Sequence, residues 1–317
     1  MKIRFWGTRG SLPVSLTAHD VRSKLLDALG LAAGRDLRGP GAIEAFVDSL
    51  DFTVAGTYGG HSSCVQVDIG SAEHVILDMG SGLRPMGQHM LQRHGPQPQT
   101  YHVFQSHLHW DHIMGLPFFT PAYIAGNRII VHSCHSQVES ALRRQQDPPS
   151  FPVGFGHFGA AVEFDLMQPG QTCSIAGMQV TAHRQRHSGD SYGWRFDIDG
   201  KRLVYTTDSE HRIEQQEERQ GFVDFFQSAD AVIFDAMYSL ADAISMKADW
   251  GHSSNIMGVE LCQAARVGTL VMFHHEPSYS DRQIHQVLEE TRRYERLTRE
   301  DHALAVISAW DGLELDL

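Results

Sequence analysis

Short apolar runs, many of them alternating with polar residues, recur along the chain and predict its β-strands. Residues 63–69 alternate in this way, and residues 74–79 return after a glycine-containing turn as the second strand of a hairpin. Residues 192–198 and 202–206 predict another hairpin, whose Asp199-Gly200 turn is typical of type I′. The other predicted strands are residues 2–6, 101–104, 128–132, 178–183, 231–234, 269–273 and 303–307.

Helices are predicted between these strands. One begins at Ser253 or Ser254, either of which can cap it, and runs to about residue 267, where Gly268 ends it. A polar helix is predicted around residues 210–221. The other predicted helices span residues 21–29, 42–50, 84–93, 137–146 and 281–297.

Residues 14–52 differ from the strand-rich sequence around them. The segment contains two of the predicted short helices, separated by the polar stretch Gly-Arg-Asp-Leu-Arg-Gly-Pro-Gly. We interpret it as a helical insertion that caps or flanks the functional site. The alternative interpretation is a surface elaboration that has no role in the chemistry.

The segment from about residue 147 to 160 is rich in proline and glycine, which exclude regular structure. Phe151, Phe155 and Phe158 lie within it, and their side chains would be costly to leave in water. We predict a lid over the functional pocket, in which these rings could stack on a nucleobase. The alternative is that the rings attach a long loop to the core.

Composition narrows the class of protein. A chain of 317 residues with 42% hydrophobic content can bury a large core, as one large domain or two. No stretch reaches the ~18 apolar residues of a membrane span. The first predicted strand follows the start of the sequence without a signal-peptide core. The four cysteines lack disulfide-framework or metal-finger spacing, so we expect a cytoplasmic location.

The net charge of -12 and the pI near 5.9 bear on possible partners. Nonspecific affinity for nucleic acid comes from many Lys and Arg contacts, so we do not expect a long polyanion as partner. A small anionic substrate is compatible with the charge, because bound divalent ions would reverse the local field.

Four potential metal ligands stand within six residues, between a predicted buried strand and an apolar segment. They are His107, His109, Asp111 and His112. Side chains two residues apart can share one ion, so the first two are expected to face one position and the last two a neighbouring position. Without a cation, three imidazoles and an acid this close would repel or desolvate one another. Ligands without thiolate suit zinc, manganese or iron.

The pattern His-x-His-x-Asp-His is the signature of the metallo-β-lactamase-fold hydrolases, which this chain resembles over nearly its whole length. The branch that it resembles contains ribonuclease Z-like and cyclic-nucleotide phosphodiesterases. The resemblance implies one α+β domain over residues 1–317, an αββα sandwich of two mixed β-sheets flanked by helices. The further matching segments are residues 1–13, Tyr58-Gly-Gly-His-Ser-Ser-Cys, Leu77-Asp-Met-Gly-Ser-Gly, Trp250-Gly-His-Ser and Phe273-His-His-Glu-Pro.

The resemblance also implies a binuclear metal centre. Its implied ligands are His107, His109 and His187 for the first ion, Asp111, His112 and His274 for the second, and Asp208 as the bridge. His275 is the less favoured choice for the seventh ligand. Asp78 corresponds to an acid that lies close beneath the metals in the family, although from the residues alone it is only a turn former. We expect two divalent ions, with Zn²⁺ preferred to Mn²⁺ or Fe²⁺.

A chemical mechanism follows from this resemblance. Two divalent ions ~3.5–4 Å apart lower the pKa of a shared water toward neutrality and can hold a substrate oxygen. The resemblance assigns His252 as the general acid and Asp235 as the carboxylate that orients it, and it places Asp111 with them among the catalytic residues. The expected substrate-binding residues are Ser253 and Ser254 at a helix N-terminus, His275, and His61, which stands where the family usually carries Asn.

The predicted function is hydrolysis of a small phosphodiester, with a 3′,5′-cyclic nucleotide as the favoured substrate. A carbon-ester hydrolase, such as a lactonase or thioesterase, is one alternative, and an RNA-processing nuclease is another that the acidic charge disfavours. Outside hydrolysis the alternatives are di-iron redox chemistry, whose relatives usually place Glu where His109 stands, and a catalytically silent sensor, which usually lacks ligands. The predicted partners are the small substrate and a second copy of the chain, without a membrane.

Overall fold

Two seven-stranded β-sheets lie face to face in the computed structural model, which describes residues 1–211, 216–238 and 252–317. In spatial order, the first sheet consists of β14 (Glu314–Asp316), β1 (Lys2–Gly7), β2 (Cys64–Asp68), β3 (His74–Leu77), β4 (Thr100–Gln105), β5 (Arg128–Ser133) and β6 (Ala161–Leu166). The second consists of β13 (Ala305–Ser308), β12 (Thr269–Phe273), β11 (Ala231–Asp235), β10 (Lys201–Thr206), β9 (Ser191–Ile198), β8 (Met178–Gln185) and β7 (Thr172–Ile175).

Both sheets are mixed. Strands β3 to β6 pair in parallel, as do β10 to β13, whereas β1 and β2 and the run from β7 to β10 pair antiparallel. The predicted type I′ turn between β9 and β10 is confirmed, because Asp199 and Gly200 both have positive φ, at 51° and 75°.

Most helices of the described residues cover the outer faces of the sheets, and three others lie in the segment of the chain that connects β1 to β2. Those between β1 and β2 are α1 (Ala18–Ala32), α2 (Ala42–Asp48) and α3 (Phe52–Ala55). Helices α4 (Leu83–His94) and α6 (Val138–Gln145) pack on the first sheet, and the single turn α5 (Trp110–Ile113) follows β4. Helices α7 (Gln216–Phe226), α8 (Asn255–Ala264) and α9 (Asp281–Thr298) pack on the second sheet. This arrangement confirms the predicted αββα sandwich.

Alternation along the strands divides the apolar residues between two layers. On β11, Ala231 and Ile233 point into the cluster between the sheets, while Val232 and Phe234 point into the cluster beneath the outer helices. The cluster between the sheets also contains Trp194. This cluster packs against strands of both sheets and so holds them in place. The ends of these strands carry the site described below.

The prediction of a helix around residues 210–221 is wrong in its bounds. Helix α7 spans Gln216–Phe226, and residues 212–215 lie outside the described residues. Its buried side chains, which join the cluster on the second sheet, are Phe222, Val223, Phe225 and Phe226. Packing of these apolar side chains, rather than the polar stretch before them, sets the position of the helix.

The aromatic residues of the predicted lid make contacts with the first sheet's helical layer. Phe155 is buried there and packs against the ring of Phe158, and Arg143 lies 4.5 Å from the Phe155 ring centroid. The ring of Phe151 meets Phe118 edge-on. These contacts match the alternative interpretation, in which the rings attach the loop to the core, and the lid stays a prediction.

Within the described residues, no helix combines the length and apolar character needed to cross a membrane.

Candidate metal centre

Side chains that follow the carboxyl ends of strands in both sheets meet at one place. The first sheet contributes Asp78 after β3 and the loop that joins β4 to α5. The second sheet contributes His187 after β8, Asp208 after β10 and His274 after β12. The centre therefore lies where the two sheets present their strand ends to each other.

The first group of potential ligands contains the three histidines predicted for the first ion and the predicted bridge: His107, His109, His187 and Asp208. Their ligand atoms all lie within 4.8 Å of one another. His187 Nε2 is 3.1 Å from His109 Nδ1. Asp208 Oδ2 is 3.7 Å from His187 Nε2 and 3.6 Å from His107 Nε2.

The second group contains Asp111, His112, Asp208 and His274, again within 4.8 Å. His112 Nε2 is 3.1 Å from Asp111 Oδ2 and 3.3 Å from His274 Nε2. Asp208 Oδ1 is 3.2 Å from His112 Nε2. Asp208 therefore turns one carboxylate oxygen to each group, which is the orientation that a bridging carboxylate requires.

The two adjacent histidines at the end of β12 have different surroundings. His274 belongs to the second group, whereas His275 Nε2 lies 2.8 Å from the carbonyl oxygen of Ala309. The His275 ring also meets Tyr58 edge-on, and the residue is buried. The structure thus places His275 outside both ligand groups, away from the role of seventh ligand.

The spacing in both groups fits divalent cations. Ligands ~2.0–2.2 Å from a tetrahedral ion lie roughly 3.3–3.6 Å apart, close to the separations given above. His107 Nε2 is buried and has no hydrogen-bond partner among the described residues, although buried polar atoms normally have one. Imidazole and carboxylate donors suit zinc, manganese or iron. The residues present are therefore able to hold divalent metal ions.

Electrostatics keep three of these residues in the protonation state that a ligand needs. Burial lowers the pKa of His107 well below its usual value, so this ring is neutral. Burial raises the pKa of Asp208, but His274, His112 and other nearby imidazoles outweigh it and hold that pKa well below the usual range. For Asp111, His112 likewise outweighs burial and lowers the pKa. Both carboxylates are ionised at neutral pH.

His112 has the opposite shift. Burial lowers its pKa, but the carboxylates of Asp208, Asp111 and Asp78 raise it well above the usual value. Without a cation, a proton on His112 therefore neutralises part of this acidic charge. Because a metal binds only the neutral imidazole, uptake of the ion would release that proton.

Three residues of the centre have a left-handed backbone. The φ angles of Asp78, Asp208 and His274 are 58°, 51° and 59°. Residues other than glycine rarely adopt such values, and where they do the surrounding structure must hold them. The left-handed turn at each position redirects the chain where a strand ends.

Asp78 lies beneath the second group and accepts hydrogen bonds from five donors. His112 Nδ1 and the hydroxyl groups of Ser106 and Tyr205 each lie 2.7 Å from Asp78 Oδ2. The backbone N–H of Ser106 and the side-chain amide of Gln105 bond to Oδ1. Because His112 donates from Nδ1 to this carboxylate, its Nε2 is directed toward the ligand group, as expected for a residue that orients a metal ligand.

We expect Asp78→Asn to weaken metal binding by ~10–100-fold, because an amide cannot accept all five hydrogen bonds and His112 loses its orientation. Asparagine tolerates a left-handed backbone, so the turn itself is retained. Competition for metal with a chelating dye measures the change. Asp68→Asn is the control, since that exposed carboxylate accepts from the Gly70 N–H at the surface. Equal affinity in the two variants would contradict the role of Asp78.

His252 and Asp235 form a hydrogen-bonded pair beside the second group. His252 Nδ1 is 2.8 Å from Asp235 Oδ2, and the His252 ring stacks on that of His274. Asp235 is held in turn by the backbone N–H groups of Ser209 and Met237. Burial lowers the pKa of His252, but Asp235 and the other nearby carboxylates raise it to about 9. Bound cations would oppose this rise.

A cavity of about 450 Å³ opens over both groups, a size suited to a small molecule. Its wall combines four of the ligand residues with His252 and with apolar side chains. The lining residues are Ser11, His109, Asp111, His187, Ser188, Asp208, Met237, Tyr238, His252, Glu276 and Pro277.

The predicted substrate-binding residues make local hydrogen bonds. The side chain of Ser254 caps α8 by accepting from the Met257 N–H, and the Ser253 hydroxyl donates to the Ser209 carbonyl. His61 Nδ1 is 3.2 Å from Ser81 Oγ. None of these residues, nor His275, lines the cavity formed by the described residues. Local hydrogen bonds occupy these side chains, and their contact with substrate stays a prediction.

Several residues of the site were not singled out by sequence. Tyr205 is one, although its inward position on β10 and its hydroxyl group, which needs a buried partner, are signals that alternation provides. Tyr238 and Glu276 line the cavity and follow strand ends in segments that carry other site residues. Trp250 and Gly251 of the Trp250-Gly-His-Ser segment lie outside the described residues.

Comparison with known proteins identifies a family and relatives of this chain. A family model described as a beta-lactamase superfamily domain matches residues 74–275. A ribonuclease Z of Nostoc sp. is 24% identical over 257 residues, which amount to 66% of this chain and 76% of the ribonuclease.

Solved structures share the fold. The metallo-β-lactamase fold protein YhfI of Bacillus subtilis superposes with a TM-score of 0.65 at 15% identity, over 99% of this chain and 98% of its own. A diphosphatase from the PhnP family superposes with a TM-score of 0.60 at 18% identity, over 100% of this chain and 97% of its own. At these identities the structural likeness concerns the fold alone.

Proposed function

This chain belongs to the β-lactamase superfamily and is a metal-dependent hydrolase, and we propose that it hydrolyses a small phosphodiester, with a 3′,5′-cyclic nucleotide as the favoured substrate. The cavity over the two ligand groups has room for a mononucleotide-sized molecule. We also propose that two ions bind, with Zn²⁺ preferred to Mn²⁺ or Fe²⁺. A cytoplasmic location stays a prediction.

The observation that carries the proposal is His252, which lines the cavity and is hydrogen-bonded to Asp235. Cleavage of a phosphodiester expels an alkoxide, which is strongly basic and leaves more easily when it is protonated. With Asp235 accepting from Nδ1, His252 can hold its other proton on Nε2. A proton donor next to the ligand groups is what an alkoxide leaving group requires.

The ligand residues supply the remaining functions. His107, His109 and His187 would hold one ion, Asp111, His112 and His274 the other, and Asp208 would bridge them. When bound, two divalent ions make a water acidic enough to act as a nucleophile near neutral pH and can polarise a phosphoryl oxygen. Asp111, which also lines the cavity, stays with His252 and Asp235 among the proposed catalytic residues.

An RNA substrate is the second candidate, since the relative from Nostoc is named ribonuclease Z. The net charge of -12 argues against a long polyanion, because affinity for RNA backbones comes mainly from Lys and Arg. The balance of these observations favours a small phosphodiester. A carbon ester is the third candidate and is disfavoured by the His252–Asp235 pair.

A substrate screen of the metal-loaded protein tests the proposal. We expect cyclic mononucleotides and bis(p-nitrophenyl) phosphate to be cleaved much faster than a lactone, a thioester or a precursor tRNA. Cleavage should cease after dialysis against a chelator and return on addition of Zn²⁺, Mn²⁺ or Fe²⁺. Faster turnover of the lactone or thioester would overturn the phosphodiesterase assignment, and preference for the tRNA would favour the nuclease.

A further inference from the structure

A second cavity lies beside the one that opens over the ligand groups. Its volume is about 420 Å³, which is enough for a small molecule. Pro277 lines both cavities. On the loop after β1, Arg9 lines the second cavity and Ser11, two residues further on, lines the first. The two cavities are therefore neighbours that share part of one wall.

Arg9 is a buried cation on the wall of the second cavity, with only 3% of its surface exposed. Its Nε donates to the carbonyl oxygen of Gly59, and its Nη1 donates to those of Glu276 and Tyr279. Among the described residues, Nη2 has no hydrogen-bond acceptor and no carboxylate forms an ion pair with this guanidinium. Burial lowers the pKa of Arg9, although more distant carboxylates oppose the shift. Because an unpaired buried charge is costly, an anion bound at Nη2 would stabilise it.

Two helices begin at the second cavity. The capping residues of α1 and α9 are Thr17 and Ser280, and both line the cavity. Each cap accepts the N–H at the third position of its helix, whereas the first two N–H groups have no acceptor among the described residues. Unpaired N–H groups give the first turn of a helix a positive partial charge. Both helices thus present their positive ends at this cavity.

The acidic side chains on the wall of the second cavity are already engaged. Asp281 forms an ion pair of 2.8 Å with Lys24, and Asp27 pairs with Arg282. The carboxylate of Asp20 accepts hydrogen bonds within the capping box of α1. Compared with the paired Lys24 and Arg282, Arg9 is the cation here that lacks a carboxylate partner within the described ranges.

We propose that the second cavity is a binding site for a phosphate dianion, held by Arg9 Nη2 and by the N-termini of α1 and α9. Guanidinium nitrogens and the N–H groups of a first helical turn are typical donors to phosphate oxygens. Val14, Leu16 and Tyr279 also line the cavity and suit an organic group attached to the phosphate. A nucleoside monophosphate fits this chemistry, and free phosphate shares its anionic part. The site does not depend on which substrate the metal centre hydrolyses.

Titration calorimetry of the metal-loaded full chain with adenosine 5′-monophosphate tests the proposal. Ser23 is exposed on α1 and lines the second cavity. Ser23→Glu adds a carboxylate there and should weaken binding at least ~10-fold, because juxtaposed like charges repel. Ser23→Gln has a similar size without the charge and should bind as the wild type does. Binding at the metal centre is common to both variants, so their difference reports the second cavity alone.

Replacement of Arg9 and a change of ligand extend the test. Arg9→Gln should abolish the same binding event, and the Ser23 pair decides if this variant fails to fold. Adenosine should not bind in the second cavity, and inorganic phosphate should bind there more weakly than the monophosphate. Equal affinity for phosphate and monophosphate would support the site and identify free phosphate as its ligand.

Two results would overturn the proposed phosphate site. One is equal affinity of Ser23→Glu and Ser23→Gln for the monophosphate, and the other is binding of adenosine as tight as that of its monophosphate. Turnover of bis(p-nitrophenyl) phosphate should be the same in the wild type and in both Ser23 variants. Absence of this turnover in all three proteins would count against the phosphodiesterase assignment and leave the binding result standing.

Discussion

Replacing Asp208 by asparagine should reduce phosphodiester hydrolysis by at least ~10³-fold, the largest effect that we expect from a single substitution. One oxygen of Asp208 faces each ligand group, so the neutral amide, whose nitrogen cannot act as a ligand, weakens both positions at once. Charge stabilisation by two ions contributes several kcal/mol to such reactions, and ~4 kcal/mol corresponds to ~10³ in rate.

Metal analysis and thermal unfolding complement the rate for Asp208→Asn. The variant should carry less metal per chain after gel filtration, and Zn²⁺ should raise its Tm less than that of the wild type. Asp199→Asn is a matched control, because Asp199 has the same φ of 51° in an exposed turn. If Asp208→Asn retained a full metal content and wild-type activity, the bridging role would be wrong.

His252→Ala should lower the turnover of a cyclic nucleotide ~100-fold or more while the protein keeps its metal, because the substitution removes the proton donor and leaves both ligand groups intact. The loss should depend on the leaving group. An alkoxide needs a proton, whereas p-nitrophenolate is a weak base and departs without one. We therefore expect bis(p-nitrophenyl) phosphate to be affected much less than the cyclic nucleotide.

The comparison of the two substrates separates proton donation from general damage to the site. Loss of metal or a displaced cavity wall would slow both substrates alike. His94→Ala is the control, because that ring lies against His74 at the start of β3, away from the strand ends that carry the site, and it should have wild-type kinetics. Equal losses on both substrates in His252→Ala, or no loss on either, would remove the residue from the role of general acid.

Sequence predicted the centre best where the ligands are close together in the chain. The spacing of His107, His109, Asp111 and His112 within one loop already indicated two neighbouring positions. His187, Asp208 and His274 could be assigned only by resemblance, since nothing local distinguishes them from other polar residues after strands. Their meeting depends on the pairing of β8, β10 and β12, which is a property of the whole sheet.

The strands that were not predicted are edge strands. β6 and β14 lie at the two edges of the first sheet and β7 at one edge of the second. Their side chains are largely exposed or half-buried, so the apolar pattern is weak, and β14 has only three residues. Such strands form because a neighbouring strand offers unpaired backbone groups, which the sequence of the edge strand does not encode.

The orientation of neighbouring side chains also could not be predicted from the sequence. Ser254 was singled out as a substrate-binding residue, and its side chain accepts a hydrogen bond from the Met257 N–H as the cap of α8. His274, whose backbone is left-handed, belongs to the second ligand group, whereas His275 bonds to the carbonyl oxygen of Ala309. Whether a residue after a strand faces the site thus depends on backbone angles that adjacent residue types do not determine.

The left-handed residues at the strand ends are held in place by the contacts of their own side chains. Holding Asp78, Asp208 and His274 in this conformation costs about 1 kcal/mol or more at each position. Glycine would remove that cost, but at position 78 it would leave five hydrogen-bond donors without their acceptor, at ~1–3 kcal/mol for each buried donor. Laboratory evolution that rewards survival at high temperature alone should therefore retain Asp78 even when catalysis is not selected.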